Sequence, residues 1–194
     1  MSRPEFIAVA LSAVSAVLIA NVDIVFVKKF MSPVEAGIYS SWTVCSRILY
    51  YVMGPLISVG FLFFSNTKDK KEQKNTLFLS LFILILASVG YFFLFDQQGT
   101  FVIHLMFGQK FNSMIPYLHQ AALYGVGYLF MQFFATYFLA QKGKMAYVFP
   151  AGLIFYIISL FLFGHTLASI MMVNIAFSFT IVGVYLASFL FSSA

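Results

Sequence analysis

The 194-residue chain has few charged residues, a single cysteine and a single tryptophan. Only 9% of its residues are Asp, Glu, Lys or Arg, whereas a soluble globular domain carries about 25%. The composition is 62% hydrophobic, and a water-soluble fold of this length could not bury that much apolar surface. The sequence therefore predicts an integral membrane protein.

Several functional classes lack their usual sequence signals. The lone cysteine, Cys45, excludes a disulfide framework. The chain contains no His-Glu-x-x-His, Gly-x-Gly-x-x-Gly or P-loop pattern, and its three histidines are scattered, so we expect no enzyme activity, no cofactor and no metal site. The net charge of +5 comes from lysines in connecting segments, which indicates membrane orientation rather than binding to nucleic acid.

Six apolar stretches, separated by short polar connectors, fill almost the whole chain. A helix of about 20 residues crosses the ~30 Å hydrocarbon core of a bilayer. We therefore predict an all-α fold, a polytopic membrane bundle of six transmembrane helices in a single domain over residues 1–194. The predicted spans are 6–27, 36–64, 76–95, 116–140, 145–163 and 168–191, with an interfacial helix at 100–107 and a cytoplasmic loop at 66–75.

The second span has a recognisable start. Ser32-Pro33-Val34-Glu35 fits a capping box, with Ser32 at the N-cap and Glu35 at the third helical position. The stretch that follows is too long to cross the membrane as a straight, upright helix. Gly54-Pro55 is expected to kink it, and the alternative is a tilted helix with surplus length at the two surfaces.

The distribution of lysine and arginine orients the predicted spans. If six helices alternate in direction, one side of the membrane carries seven of these residues and the other side carries three, Lys28, Lys29 and Lys110. The positive-inside rule then places both termini in the cytoplasm. The seven residues are Arg3, Lys68, Lys70, Lys71, Lys74, Lys142 and Lys144.

Two ionisable residues lie well inside predicted spans, where such residues are costly and usually face a cavity or a partner. Asp23 continues a stripe of small and polar residues on the first span. Arg47 lies on a similar stripe of the second span, together with Thr43 and Tyr51. Asn21 is about 200° around the helix from Asp23 and therefore ranks below it as a functional candidate.

Asp23 and Arg47 differ in depth if both helices are straight. Counted from the Ser32 cap, the mismatch is about 9 Å, so Arg47 is expected to be available for an anion such as phosphate, which suits the arginine fork. A direct salt bridge is the alternative and needs an extended arginine or a shifted helix. A third possibility is an arginine satisfied by carbonyls, tyrosine hydroxyls or another helix. Gln132 in the fourth span is a further candidate, although such residues more commonly join helices.

Three segments resemble parts of bacterial polysaccharide flippases. The first runs from Asn21 to Ser40, an Asp-containing helix followed by a short loop and an Ala-Gly-x-Tyr-Ser helix start, and Arg47 matches a basic position after it. The others are Leu-Met-Phe-Gly-Gln-Lys-Phe at 105–111 and Tyr-Phe-Leu-Ala-Gln-Lys-Gly-Lys at 137–144. Their order and spacing resemble the C-terminal half of the multidrug/oligosaccharidyl-lipid/polysaccharide exporter superfamily, particularly O-antigen and capsule repeat-unit flippases.

The resemblance implies one six-helix lobe of a MATE-like flippase fold in the bacterial cytoplasmic (inner) membrane. Such proteins translocate undecaprenyl-pyrophosphate-linked oligosaccharides for lipopolysaccharide and other surface polysaccharide biosynthesis, by alternating access between two lobes. It further implies that Arg47 engages the pyrophosphate and that Arg47 and Asp23 line the path. The candidate substrate-binding residues are Arg47, Asp23, Tyr51, Thr43 and Gln132.

Only one lobe is present in this sequence, so the expected partners, besides membrane lipids and the lipid-linked oligosaccharide, are an N-terminal six-helix lobe or a second copy of the chain. Two other functions stay open. One is a cation-coupled drug or metabolite exporter of the same superfamily, in which Asp23 would carry the coupling ion. The other is a non-transporting subunit of a glycan-assembly complex.

Overall fold

The computed structural model describes residues 3–67, 69–141 and 144–192, and within these ranges the chain is helical with no β-strand. The prediction of an all-α bundle is therefore confirmed. The α-helices are α1 (Arg3–Ile19), α2 (Val22–Phe30), α3 (Pro33–Asn66), α4 (Lys70–Phe107), α5 (Leu118–Ala140), α6 (Val148–Phe163) and α7 (Leu167–Ser192), with 3₁₀ segments at Gln109–Tyr117 and Lys144–Tyr147.

Five apolar helical segments in the described part of the chain are long enough to cross a membrane: Val9–Phe30, Pro33–Asn66, Lys70–Phe107, Gln109–Ala140 and Leu167–Phe189. α6 is also apolar but has 16 residues, which rise about 24 Å. That is less than the ~30 Å hydrocarbon core. The helices fit a membrane-spanning bundle, and the fifth of the six predicted spans corresponds to the short α6.

The first predicted span, 6–27, is divided into two helices, because α1 ends at Ile19 and α2 begins at Val22. Asn21 stands at the N-cap position of α2, and its side-chain Nδ2 donates to the Val17 carbonyl at 2.7 Å. A side-chain donor that competes for main-chain carbonyls in this way favours the end of a helix. The break makes α2 a short separate helix that carries Asp23.

α4 joins two elements that the sequence predicts as separate. The span at 76–95 and the helix at 100–107 form one 38-residue helix, interrupted only by the non-helical backbone of Gln98 (φ −122°, ψ 16°). α4 also begins inside the segment 66–75 that is predicted as a loop, because Asp69 caps it by accepting from the Lys71 N–H at 2.8 Å. Of the cations that orient the predicted spans, Lys68 and Lys142 lie outside the described residues, as do the side chains of Arg3 and Lys144.

The predicted capping box at the start of α3 is confirmed. The Glu35 N–H donates to Ser32 Oγ at 3.3 Å, and the Ser32 N–H donates to Glu35 Oε2 at 3.0 Å. These bonds satisfy main-chain donors that the first helical turn leaves without partners. Pro55 lies within α3, which continues through it as a single helix of 34 residues.

α5 is the central helix of the bundle and packs against α3, α4 and α7. Most of its side chains are buried, whereas the other long helices expose broad apolar faces. Two glycines permit the close approach of its neighbours. A side chain at Gly125 would meet the Ser46 carbonyl on α3, and one at Gly127 would meet the Ser178 hydroxyl on α7. Small residues commonly join membrane helices in this way.

Candidate functional site

The carboxylate of Asp23 is the centre of a buried polar cluster. Its side chain is fully buried, and a single oxygen, Oδ2, accepts three hydrogen bonds. The donors are the Tyr39 hydroxyl at 2.7 Å, Arg47 Nη2 at 3.2 Å and Asn174 Nδ2 at 3.3 Å. Charge-assisted bonds of this kind are what allow an ionised carboxylate to exist away from water.

A second set of bonds extends this cluster to α6. Asn174 Nδ2 also donates to the Tyr39 hydroxyl oxygen at 2.5 Å, and the Tyr156 hydroxyl donates to Asn174 Oδ1. We call Asp23, Tyr39, Arg47, Tyr156 and Asn174 the Asp23 network. The network joins α2, α3, α6 and α7 through side chains alone. A change in the charge of the Asp23 carboxylate would therefore alter hydrogen bonds on four helices.

Arg47 is held by one ionic contact and by aromatic neighbours. Its side chain is 7% exposed, against 0% for Asp23, and Nη2 makes the only contact with the carboxylate within salt-bridge distance. The guanidinium carbon lies 5.4 Å from the centroid of the Tyr128 ring, in cation–π geometry, and Tyr124 is a further electrostatic neighbour. The guanidinium thus has two kinds of support besides Asp23.

Two atoms of the ion pair keep unused hydrogen-bonding capacity. Within the described residues Arg47 Nε has no hydrogen-bond partner, although it is buried. Asp23 Oδ1 likewise accepts no well-formed hydrogen bond in that part of the chain, while the main-chain N–H groups of Asp23 and Ile24 lie near the carboxylate and stabilise its charge. The pair is therefore a single-contact bridge and not the two-contact fork that arginine and carboxylate can form.

A column of aromatic rings connects the Asp23 network to the surface of α3. Trp42 stacks between Tyr39 and Tyr124, with ring centroids 5.5 and 5.2 Å away. Tyr124 contacts Tyr128 at 5.7 Å, and Tyr128 meets Tyr50 edge-to-face at 5.3 Å. The rings run from the buried carboxylate, past the guanidinium, to a residue that lines an open groove.

This groove has a volume of about 660 Å³ and runs mainly along α3. Arg47 precedes Tyr50 and Tyr51 by one helical turn on the same side of α3. The guanidinium therefore lies near one end of the groove, separated from it by Tyr50 and Tyr128. The groove is lined by Tyr50, Tyr51, Gly54, Ile57, Ser58, Phe61, Leu62 and Thr136.

The expectation that a depth mismatch of about 9 Å leaves Arg47 available for an anion is wrong. The alternative, a direct salt bridge, is what forms, with Arg47 Nη2 at 3.2 Å from Asp23 Oδ2. The estimate assumes one straight first helix, whereas the chain breaks at Ala20–Asn21 and Asp23 belongs to the separate helix α2. Asn21 itself is exposed and bonds within its own helical stretch. Arg47 is consequently not a free cation in this state.

The other predicted candidates lie apart from the ion pair. Tyr51 lines the groove and is 63% exposed. Thr43 is buried and donates to the Ser40 carbonyl of its own helix at 2.8 Å, so it contributes no free polar group. Gln132 is buried on α5, close to the Tyr128 hydroxyl, and lines a separate cavity of about 70 Å³. The structure thus brings together Asp23 and Arg47, and places Tyr51 within one turn of the arginine.

The binding residues predicted from the sequence do not include three members of the Asp23 network, Tyr39, Tyr156 and Asn174. Tyr39 precedes Arg47 by eight residues, about two helical turns, and that spacing could have placed both on one face of the second span. Tyr156 and Asn174 are far from Asp23 in sequence and carry no such signal. Only the packing of α6 and α7 brings them to the carboxylate.

The site combines a buried cation, whose Nε is unpartnered among the described residues, with a buried anion and a nearby groove of about 660 Å³. Within the described residues, no group of three or more His, Cys, Asp or Glu side chains is placed to hold a metal ion. Comparisons of the chain with protein-family models, with curated proteins and with solved structures gave no match.

Proposed function

We propose that this chain is the C-terminal six-helix lobe of a MATE-like flippase that moves undecaprenyl-pyrophosphate-linked oligosaccharides across the bacterial cytoplasmic membrane for surface polysaccharide biosynthesis. In this proposal both termini are cytoplasmic, and the lobe works with an N-terminal lobe or with a second copy. The cargo crosses the membrane unchanged, and Arg47 and Asp23 line its path.

The observation that carries the proposal is a buried arginine–aspartate pair inside apolar helices, one turn from an open groove lined by tyrosines. A buried ion pair contributes little to stability, because apolar residues of similar size often serve as well or better. Ionisable groups within a membrane bundle instead mark binding sites and transport paths. A guanidinium whose Nε–H has no partner in the described part of the chain suits the oxygens of a diphosphate.

The alternative of a cation-coupled exporter assigns the coupling ion to Asp23. Arg47 already places a positive charge 3.2 Å from this carboxylate, so an added metal cation or cationic drug would be repelled by the guanidinium. The arrangement therefore favours an anionic cargo. A non-transporting subunit would move no cargo at all, so a measurement of cargo movement separates it from the proposal.

Cargo movement can be measured with the full-length protein in liposomes that contain a fluorescent prenyl-diphosphate-linked disaccharide. A membrane-impermeant quencher reports how fast probe from the inner leaflet reaches the outer one. We expect Arg47→Ala to slow this movement about tenfold, the equivalent of one charge-assisted hydrogen bond. Arg47→Lys should be intermediate, because lysine keeps the charge and loses the fork.

Lys110→Ala is the matched control, because Lys110 is an exposed cation outside the Asp23 network. The Lys110→Ala variant should move the probe at the same rate as the unmodified protein. Equal rates for Arg47→Ala and the unmodified protein would remove Arg47 from the path. Transport of a cationic dye, without movement of the prenyl probe, would establish the exporter alternative instead.

A further inference from the structure

We propose that Arg47 exchanges partners during transport: the diphosphate of the cargo displaces the Asp23 carboxylate from the guanidinium, and the released carboxylate binds one proton from water. This rests on the proposed function and adds its coupling step. The Nη2–H of Arg47 exchanges its hydrogen bond to the carboxylate for one to a diphosphate oxygen, the Nε–H, unpartnered among the described residues, gains a second, and the proton forms an O–H bond on Asp23. No other bond changes, and the reverse exchange releases the cargo and the proton.

Arg47 can leave Asp23 because their contact is single and the guanidinium has other support. One Nη2–Oδ2 distance of 3.2 Å joins them, and Nε is unpartnered among the described residues. The Tyr128 ring, 5.4 Å from the guanidinium carbon, stabilises the cation whichever anion it binds. A diphosphate presents several acceptor oxygens and can use two or more donors of the fork at once.

Asp23 keeps two side-chain hydrogen-bond donors when Arg47 leaves, namely the Tyr39 hydroxyl at 2.7 Å and Asn174 Nδ2 at 3.3 Å. Neither donor carries a positive charge, so an ionised carboxylate would stay buried without a counterion. That state is strongly disfavoured, and protonation removes the charge. Oδ1, which accepts no well-formed hydrogen bond within the described residues, is free to hold the proton.

The groups facing Asp23 offer no replacement cation. On α3 these groups are Arg47 and Tyr39, on α5 Tyr124, and on α6 Tyr156. α7 contributes Asn174, which does not titrate, and residues 7–19 of α1 contain no titratable side chain. The lysines of α2, Lys28 and Lys29, are exposed. Arg47 is thus the single positive charge that contacts Asp23 in the described part of the chain.

The groove gives the anion an approach to Arg47. Tyr50 lines it and meets Tyr128 edge-to-face at 5.3 Å, and Tyr128 lies against the guanidinium. Movement of the Tyr50 ring would extend the groove towards Arg47 while Tyr128 stays against the guanidinium. Of the two charged side chains, Arg47 is also the one with some exposure. An anion therefore meets the guanidinium before it meets the carboxylate.

The fluorescence of Trp42 can report binding at the ion pair, because Trp42 is the single tryptophan and stacks on Tyr39 and Tyr124, which both adjoin the pair. Its fluorescence is followed while farnesyl diphosphate is added to the purified full chain in lipid nanodiscs between pH 6 and 8. Inorganic diphosphate is titrated in parallel. Asp23→Asn removes the competing charge at constant size, and Asp96→Asn is the matched control on the exposed surface of α4.

We expect Asp23→Asn to bind farnesyl diphosphate at least about tenfold tighter at pH 7, because a cation that is paired nine-tenths of the time binds a competitor tenfold more weakly. The unmodified protein should bind more tightly as pH falls, by about one decade per pH unit beyond the slope of Asp23→Asn, since binding takes up a proton. The comparison cancels the ionisation of the probe and of every group that the two proteins share. Asp96→Asn should match the unmodified protein.

Equal or weaker binding by Asp23→Asn, or equal pH slopes, would overturn the exchange, and so would unchanged binding by Arg47→Gln. Binding of the farnesyl form alone identifies a lipid headgroup as the source of the anion, and equal binding of inorganic diphosphate identifies a free diphosphate. Absence of binding to every variant also overturns the exchange. An Arg47-dependent flipping rate with no gain in Asp23→Asn would leave the proposed function standing without it.

Discussion

Removal of one member of the Asp23–Arg47 pair should destabilise the bundle far more than removal of both. Arg47→Met leaves a buried carboxylate whose remaining side-chain donors, Tyr39 and Asn174, are neutral. Asp23→Asn leaves a guanidinium with 7% exposure and no anion. Breaking a buried pair from one side costs about 3–5 kcal/mol. We expect about 3 kcal/mol for each, at the lower end because the contact is single.

The double variant, Asp23→Asn with Arg47→Met, has no buried charge at this position. Two unit charges about 4 Å apart attract by about 4 kcal/mol at an effective dielectric constant of 20, which sets the upper limit of the coupling. We expect the double variant to be more stable than the sum of the single changes predicts, by at least about 2 kcal/mol.

The free energy of unfolding can be measured by titration of the purified protein with dodecyl sulfate in mixed micelles, with helicity followed by circular dichroism. Asp96→Asn, an exposed carboxylate, should stay within about 0.5 kcal/mol of the unmodified protein. If the two single changes add without coupling, the salt bridge is not the resident state, and both the exchange and the account of the Asp23 network fail.

The remaining predictions use the same unfolding assay. Gly125→Ala should cost about 1–3 kcal/mol, because its Cβ would strike the backbone of α3, whereas Gly183→Ala, which meets nothing within 4 Å, should be neutral or stabilising. Tyr156→Phe should cost about 1–3 kcal/mol, since it leaves the buried Asn174 amide oxygen without its donor; a cost below the error of the assay would contradict that bond. Ser32→Ala should cost about 1 kcal/mol by removing the cap of α3, and no change would show that the helix start is held by other contacts.

The sequence was sufficient to predict a helical membrane bundle, because composition and apolar length depend on local residues alone. The capping box at Ser32 was also predictable, since it involves residues three apart. The ends of the helices were less predictable. The break after Ile19 and the extension of α4 from Lys70 to Phe107 depend on how Asn21 and Asp69 use their side chains, and the same residues occur inside helices elsewhere.

The sequence predicted the two charged residues of the candidate site but not the hydrogen bonds that connect the Asp23 network. Asp23 and Arg47 stand out because ionisable residues are rare in apolar helices. Their contact, at 3.2 Å, depends on the relative depth and tilt of α2 and α3, and a count of residues along straight helices contains neither. Tyr156 and Asn174 reach the carboxylate only through tertiary packing, which a single sequence does not contain.

The central position of α5 has a consequence for how the protein is made. Ribosomes deliver the chain from the N-terminus, so α3 and α4 enter the membrane before α5, whereas α7 follows it. In the finished bundle, 72% of the apolar stretch within Gln109–Ala140, the segment that contains α5, is buried. Among the described residues, those that meet a side chain at Gly127 belong to α7, so this side of α5 is covered only when α7 arrives. During synthesis the bundle therefore passes through an intermediate in which the α7-facing side of α5 is exposed. An insertase or membrane protease that acts on nascent proteins would encounter this surface.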